Sequence, residues 1–350
     1  MTNPNLQWAG IVVEELAACG LEAVCIAPGS RSTPLTLAFA RHPDVQVYLH
    51  LDERCAAFAA LGMALVTGRP VAMVCTSGTA AAEFFPAIIE ARQSQIPLLV
   101  LTSDRPHELR HSGAHQTIDQ VKLYGDQTLW SVDAALPEAA APALALNNLR
   151  TVAARAYATA NGLTKGPVHL NFPFRKPLEP ASLDDVPGRA LSRPASTIER
   201  GIITPTLPQL DELGRLIDDH PRGVIVCGPC CPGGDFPTAI AELGRRSGYP
   251  IFADPLSGVR YGPQVDAATI ISSYESLLAS GHSTEQPDLT LRFGAVPTSK
   301  WLNAYLTEAD SAAVVHVRSS GVWADDSHRV THFLQAEESL VCRGVTARIA

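Results

Sequence analysis

Along the first half of the chain, short apolar runs of strand length alternate with longer stretches of helical periodicity. Residues 5–19 carry Trp8, Ile11, Val12 and Leu16 at helical spacing and end at Gly20, a favourable helix stop. A strand at 23–27 is followed by a helix at 35–41, and a strand at 45–51 by a helix from Glu53 to about Gly68. The alternation continues with a strand at 71–76, a helix at 80–92 and a strand at 97–102. A polar stretch, 107–127, is too long for an ordinary connection and reads as a functional loop. A helix at 144–159 and a closing strand at 168–172 complete the set. Strands this continuously apolar, separated by helices, predict a parallel sheet covered on both faces.

A Pro- and Ser-rich stretch, 173–208, interrupts the pattern. We place a first domain at 1–180, a linker at 181–205 and a second domain at 206–350. The second domain repeats the alternation with a helix at 208–218, a strand at 223–227, a helix at 236–246 and strands at 250–253 and 289–293. The expected fold class is therefore α/β, with two doubly wound, mainly parallel-sheet domains, the second of Rossmann-like type.

Ligands of such sheets bind at the carboxyl ends of the strands. Four polar segments of the first domain fall there: Ser30-Arg31-Ser32, Asp52-Glu53, Ser77-Gly78-Thr79 and Asp104-Arg105. Arg31 follows a Gly-Ser turn between strand and helix, a geometry suited to an anion or to a simple helix cap. Glu53 opens a helix of small and apolar residues, from Cys55 to Leu61. It reads either as the first turn of a helix capped by Asp52 or as a buried carboxyl with a proton to share. In the loop, His111 and His115 are candidates for proton transfer or hydrogen bonding, or are solvated loop residues. Lys300, after the strand exit at Gly294, is a candidate for contact with an anion or a solvated helix-start lysine.

Composition narrows the function class. Of 350 residues, 46% are hydrophobic and 18% charged, a globular balance. The net charge of −8 and the lack of a basic run argue against nucleic-acid binding. They also mean that an anionic substrate needs local Arg or Lys groups. No apolar run reaches membrane-spanning length, and the N-terminus lacks the pattern of a signal peptide. The eight cysteines are scattered, and the lone Cys227/Cys230 pair has no second ligand pair, so reduced thiols in a cytoplasmic protein are expected and no metal site is assigned. The Gly228 turn has the wrong glycine spacing for a dinucleotide fingerprint.

Several ordered runs carry a resemblance: APGSRSTPL, HLDER, TSGTA, SDRPHELR and GAHQTIDQ, then GPCCPGGDFP, DPLSGVRYG and the TSK segment. Together they resemble the N-terminal and central domains of the 2-succinyl-5-enolpyruvyl-6-hydroxy-3-cyclohexene-1-carboxylate synthases. These are thiamine-diphosphate enzymes of menaquinone and phylloquinone biosynthesis. The resemblance implies a transferase that decarboxylates 2-oxoglutarate and adds the succinyl-semialdehyde carbanion to isochorismate. It implies that the first domain is the pyrimidine-binding domain and that Glu53 is the catalytic carboxyl that activates the cofactor. Ser77, Gly78 and Thr79 would line the cofactor. Ser30, Arg31, Arg105, His115, Gln116 and Lys300 would meet the dicarboxylate substrates. At His115 the family often has Asn. Some relatives follow the lysine with Arg, where this chain has Trp301.

The family has a third domain whose Gly-Asp-Gly motif helps to hold Mg2+ and the diphosphate. No Gly-Asp-Gly occurs here, Gly125-Asp126-Gln127 being the nearest run. The expectation is thus an incomplete chain, inactive alone. It would work as a homodimer or homotetramer, or with a separate chain that carries the diphosphate-binding domain. Rival expectations are a carboligase or decarboxylase of acetolactate-synthase type and a non-catalytic subunit that kept the fold.

Overall fold

The computed structural model describes residues 3–181, 193–280 and 285–350. The chain folds as two compact units, residues 1–200 and 201–350. The expected linker at 181–205 straddles that division, and its residues 182–192 lie outside the described residues.

The first unit is built from α1 (Pro4–Ala18), β1 (Ala23–Ile26), α2 (Thr33–Arg41), β2 (Gln46–Leu49), α3 (Glu53–Thr67), β3 (Val71–Cys75), α4 (Thr79–Glu83), α5 (Phe85–Gln93), β4 (Leu98–Asp104), β5 (Trp130–Asp133), α6 (Ala143–Ala160) and β6 (Pro167–Pro173). Its six strands form one all-parallel sheet in the order β2-β1-β3-β4-β6-β5. Alternate side chains of each strand feed two cores. Val24, Ile26, Ala72, Val74, Leu99 and Leu101 pack with α1, α2 and α6. Cys25, Met73, Leu98 and Val100 face the other way, onto α3, α4 and α5. Each fully buried Leu or Val of β4 contributes about 1.5–3 kcal/mol of burial free energy. The central strands therefore tolerate few polar residues, and those they carry need partners.

Three departures from the sequence pattern have local causes. The helix expected at 80–92 is two helices, because Pro86 lacks an N–H and starts α5 afresh. Strand β5 leaves no apolar run in the sequence because it is a short edge strand with half-buried, partly polar residues. The 107–127 loop holds two single-turn 3-10 segments, His107–Leu109 and Gly125–Gln127.

The second unit comprises α7 (Leu207–Asp219), β7 (Gly223–Cys227), α8 (Phe236–Ser247), β8 (Ile251–Ala253), β9 (Ile270–Ile271), α9 (Tyr274–Ala279), β10 (Leu289–Phe293), α10 (Lys300–Glu308), β11 (Ala313–Val317), β12 (His332–Leu334) and α11 (Glu338–Thr346). Its sheet is also all-parallel, in the order β12-β11-β10-β7-β8-β9. Helices α7, α8 and α11 cover one face, and α9 and α10 the other. Both units are thus α/β, doubly wound and parallel. The Gly228 turn at the β7 exit packs against the β10 exit, where Ala295 N–H donates to Pro229 O at 2.6 Å. That space is filled by the chain itself. Among the described residues no helix is long and apolar enough to cross a membrane.

Candidate active site

A cavity of about 560 Å³ opens at the carboxyl ends of β1, β3 and β4 in the first unit. Each strand contributes a turn. After β1, Ser30–Ser32 form a single 3-10 turn that leads into α2. A side chain on Gly29 would strike Thr76, so the β1 and β3 exits can approach only with glycine there. Ser30 lies exposed on the cavity wall, whereas Arg31 is 6% exposed. Arg31 donates from one terminal nitrogen to Phe174 O at 2.7 Å, and its Nε has no partner among the described residues. Burial lowers the Arg31 pKa, and the neighbouring Arg105 lowers it further. Two guanidiniums on one wall repel each other, and an anion between them relieves the repulsion.

After β3, Ser77, Gly78 and Thr79 turn the chain into α4. Gly78 has φ +87°, and a Cβ there would meet the Gln116 main chain at 3.2–3.3 Å. Thr79 reaches the cavity, while Ser77 is fully buried and accepts a hydrogen bond from the Arg105 guanidinium. Arg105, after β4, lines the cavity and is also lowered in pKa by burial. Gln116 reaches the wall from the long loop and donates to Ser77 O at 3.1 Å. His115 is exposed and is not among the lining residues.

Glu53 lines the same cavity at the first turn of α3. Asp52 caps that helix, accepting from Arg54 N at 2.8 Å and Cys55 N at 3.4 Å. A carboxylate in the first turn gains about 0.3–1 kcal/mol from the helix dipole. The cap of α3 is Asp52, and the residue that lines the cavity is Glu53. The expected burial of Glu53 is corrected: it is half-buried. The stripe Ala56, Ala57, Ala60 and Ala64 of α3 is buried in the core, and Ala59, Leu61 and Met63 pack partly buried against it. Other apolar residues of α3 look outward, with Phe58 48%, Leu65 51% and Val66 87% exposed. Leu49 and Leu51, just before α3, are 73% and 96% exposed.

Lys300 belongs to the second unit. It is exposed at the start of α10, with Nζ 5.1 Å from the Trp301 ring centroid.

The structure adds cavity residues that sequence reading passed over. Lys176 and Leu178, just after β6, line it, as do Thr76 and Glu83. Lys176 falls in the Pro- and Ser-rich stretch 173–208 of the sequence, and its place just after β6 brings it to the cavity.

Behind the wall lies a buried polar network. Gln120 accepts from Gly78 N at 2.8 Å and donates to Ser103 O at 3.1 Å and Asn171 Oδ1 at 2.9 Å. Asn171 donates to Asp104 at 3.0 Å and Asp133 at 2.8 Å. Thr102 donates to Asn171 Oδ1 at 2.8 Å, so at 2.7 Å it accepts from His169 Nε2, which carries the proton. Burial holds His169 neutral, with its pKa pushed down to about 4. A sequence signal existed: His169 and Asn171 interrupt an otherwise apolar strand, and such positions need hydrogen-bond partners.

Residues 7–123 match the family described as thiamine pyrophosphate enzyme, N-terminal TPP binding domain. The chain is 54% identical to the 2-succinyl-5-enolpyruvyl-6-hydroxy-3-cyclohexene-1-carboxylate synthase of Roseiflexus castenholzii, covering 100% of this chain and 61% of that protein. Identity is also 54% to the synthase of Roseiflexus sp. strain RS-1, over 99% of this chain and 60% of that protein. To the synthase of Haloarcula marismortui it is 46%, over 96% of this chain and 60% of that protein. The chain thus spans about 60% of the length of the curated relatives it matches. Residues 7–123 therefore match the thiamine pyrophosphate enzyme N-terminal domain family, and over its whole length the chain is similar to about three-fifths of the 2-succinyl-5-enolpyruvyl-6-hydroxy-3-cyclohexene-1-carboxylate synthases in extent.

Proposed function

We propose that this chain supplies the pyrimidine-binding side of the active site in such a synthase. The observation that carries this reading is the meeting of Glu53, Arg31 and Arg105 on one cavity in a chain of this similarity. The cavity suits the aminopyrimidine end of thiamine diphosphate. One carboxyl faces it from a helix start, and Thr79, at the end of a tight glycine turn, lines the neighbouring wall. When bound, that cofactor supplies the nucleophilic carbon and the electron sink for decarboxylation. The chain's own part is proton handling and substrate binding. Glu53 would exchange a proton with a ring nitrogen of the aminopyrimidine. Arg31 and Arg105 bind a carboxylate of 2-oxoglutarate or isochorismate, and Ser30 and Gln116 add neutral hydrogen bonds. Lys300 and His115 are assigned to substrate contacts on the family resemblance alone.

Mg2+ and the diphosphate are assigned to polypeptide beyond these residues. Among the described residues no group of three His, Cys, Asp or Glu side chains is placed to hold a metal ion. The outward apolar side of α3 supports the same division. A helix apolar all round is covered on both sides in its working state. The cover is another subunit of the same protein, as a dimer or tetramer, or a separate chain with the diphosphate-binding domain. That covering completes the desolvation of Glu53. The eight free cysteines fit a reducing, cytoplasmic setting.

The similarity favours this substrate pair over a carboligase of acetolactate-synthase type, and the paired arginines suit dicarboxylates. The test mixes the purified chain with thiamine diphosphate, Mg2+, 2-oxoglutarate and isochorismate. The expected result is no turnover by the chain alone, and turnover once the unmatched part of a Roseiflexus synthase is added. Turnover by the chain alone would overturn the shared site. Binding without turnover in the completed mixture would favour a non-catalytic subunit.

A further inference from the structure

Asp104 ends β4 with a fully buried carboxylate, next in sequence to Arg105. Its charge acts on both Arg105 and Arg31. Left uncompensated, it would compete with any anion for the Arg105 guanidinium. The structure engages it elsewhere. One oxygen accepts the backbone N–H of Arg105 at 2.7 Å. The other accepts from Asn171 at 3.0 Å and pairs with Arg110 at 2.8 Å. Arg110 also makes two hydrogen bonds to Asp133, at 2.7 and 2.9 Å, with its side chain only 10% exposed. Arg105, by contrast, donates to the neutral Ser77 hydroxyl and forms no ion pair among the described residues.

We propose that Arg110 is a positioning residue for the anion site: by neutralising Asp104 it leaves the Arg105 guanidinium uncommitted at the cavity wall. Arg110 lies behind the cavity and acts through Asp104. The inference rests on the reading of Arg105 as a carboxylate ligand. Its chemistry is charge compensation in a poorly solvated place, where an unpaired carboxylate takes the nearest cation.

The test measures the rate at which phenylglyoxal, an arginine-selective reagent, modifies Arg105 in the full chain, read by peptide mass mapping. In Arg110→Gln, Asp104 captures the Arg105 guanidinium and slows its modification about fivefold, the factor expected for a partly buried ion pair. Adding Asp104→Asn to that variant restores the wild-type rate, and Arg110→Lys retains it. An unchanged Arg105 rate in folded Arg110→Gln overturns the proposal, as does failure of the double variant to recover. If Arg110→Gln does not fold, Asp104→Asn alone decides: an unchanged rate supports the proposal, and a several-fold gain shows that Asp104 already held Arg105. A separate arm adds 2-oxoglutarate to the wild-type chain. Loss of protection there removes the carboxylate-ligand reading of Arg105 without touching the Arg110 effect.

Discussion

Gln120 accepts the backbone N–H of Gly78 at 2.8 Å, tying the long 107–127 loop to the turn after β3 from inside the protein. The amide orientation is settled by its other contacts, since its nitrogen donates to Ser103 O and Asn171 Oδ1. One buried side chain thus holds the turn after β3 against the sheet. Replacing it with Met keeps the volume but strands the Gly78 N–H. Gln120→Met should destabilise the first unit by about 1–3 kcal/mol. Urea unfolding checks this, and a loss near zero would mean that water replaces the amide.

Gly78→Ala meets two obstacles at once. The backbone sits at φ +87°, and the new methyl would press on the main chain of Gln116. With ψ at −143° this backbone lies in a region nearly restricted to glycine, which costs an L-residue about 1–3 kcal/mol. The expected outcome is a stability loss of that size or more, with the amide signal of Gln116 displaced in NMR spectra. An unmoved Gln116 signal would show that the turn relaxes on its own.

Glu53→Gln separates chemistry from fold. Glu53 is half-buried, and its helix is capped by Asp52. Removing its charge should cost less than about 1 kcal/mol of stability, the size of the helix-dipole gain. In the completed enzyme it should abolish turnover, because an amide is not acidic or basic enough to give a proton to the ring nitrogen and take it back. A wild-type rate would remove Glu53 from the mechanism.

Val66→Lys probes the outward side of α3. Val66 is 87% exposed in the last turn, where a cation is well placed relative to the helix dipole. The isolated chain should keep its stability within about 0.5 kcal/mol. Assembly with the complementary part should weaken, seen as a higher concentration of that part needed for half-maximal turnover. An unchanged concentration would place the covering surface elsewhere.

His169 sets a pH dependence. Its ordinary pKa of 6.5 falls to about 4 in the fold, chiefly because burial disfavours the charged ring. Between those values the unfolded chain binds a proton that the folded chain refuses, so stability falls as pH drops from 6.5 towards 4. The full loss is about 3 kcal/mol for one such residue. His169→Gln should flatten the stability of the first unit across that window, measured by urea titration at several pH values. An equally steep profile would assign the effect to other groups.

The alternation of elements was legible because strand and helix periodicities are local, and because Gly20, Asp52 and Gly68 mark helix ends within a few residues of the elements they bound. So were the four polar strand exits, since a parallel sheet places every carboxyl end on one edge. The sequence also showed His169 and Asn171 as polar interruptions of a strand, but not what they touch. Three things waited for the tertiary structure. The polar network of Gln120, Asn171, Asp104 and Arg110 joins residues far apart in the chain, and pairing at that separation leaves no local pattern. Lys176 reached the cavity only because β6 lies beside β4 in the sheet. The burial of Glu53 could not be read from its apolar helix, because composition shows that a helix seeks cover on all sides but not which sides its own domain provides.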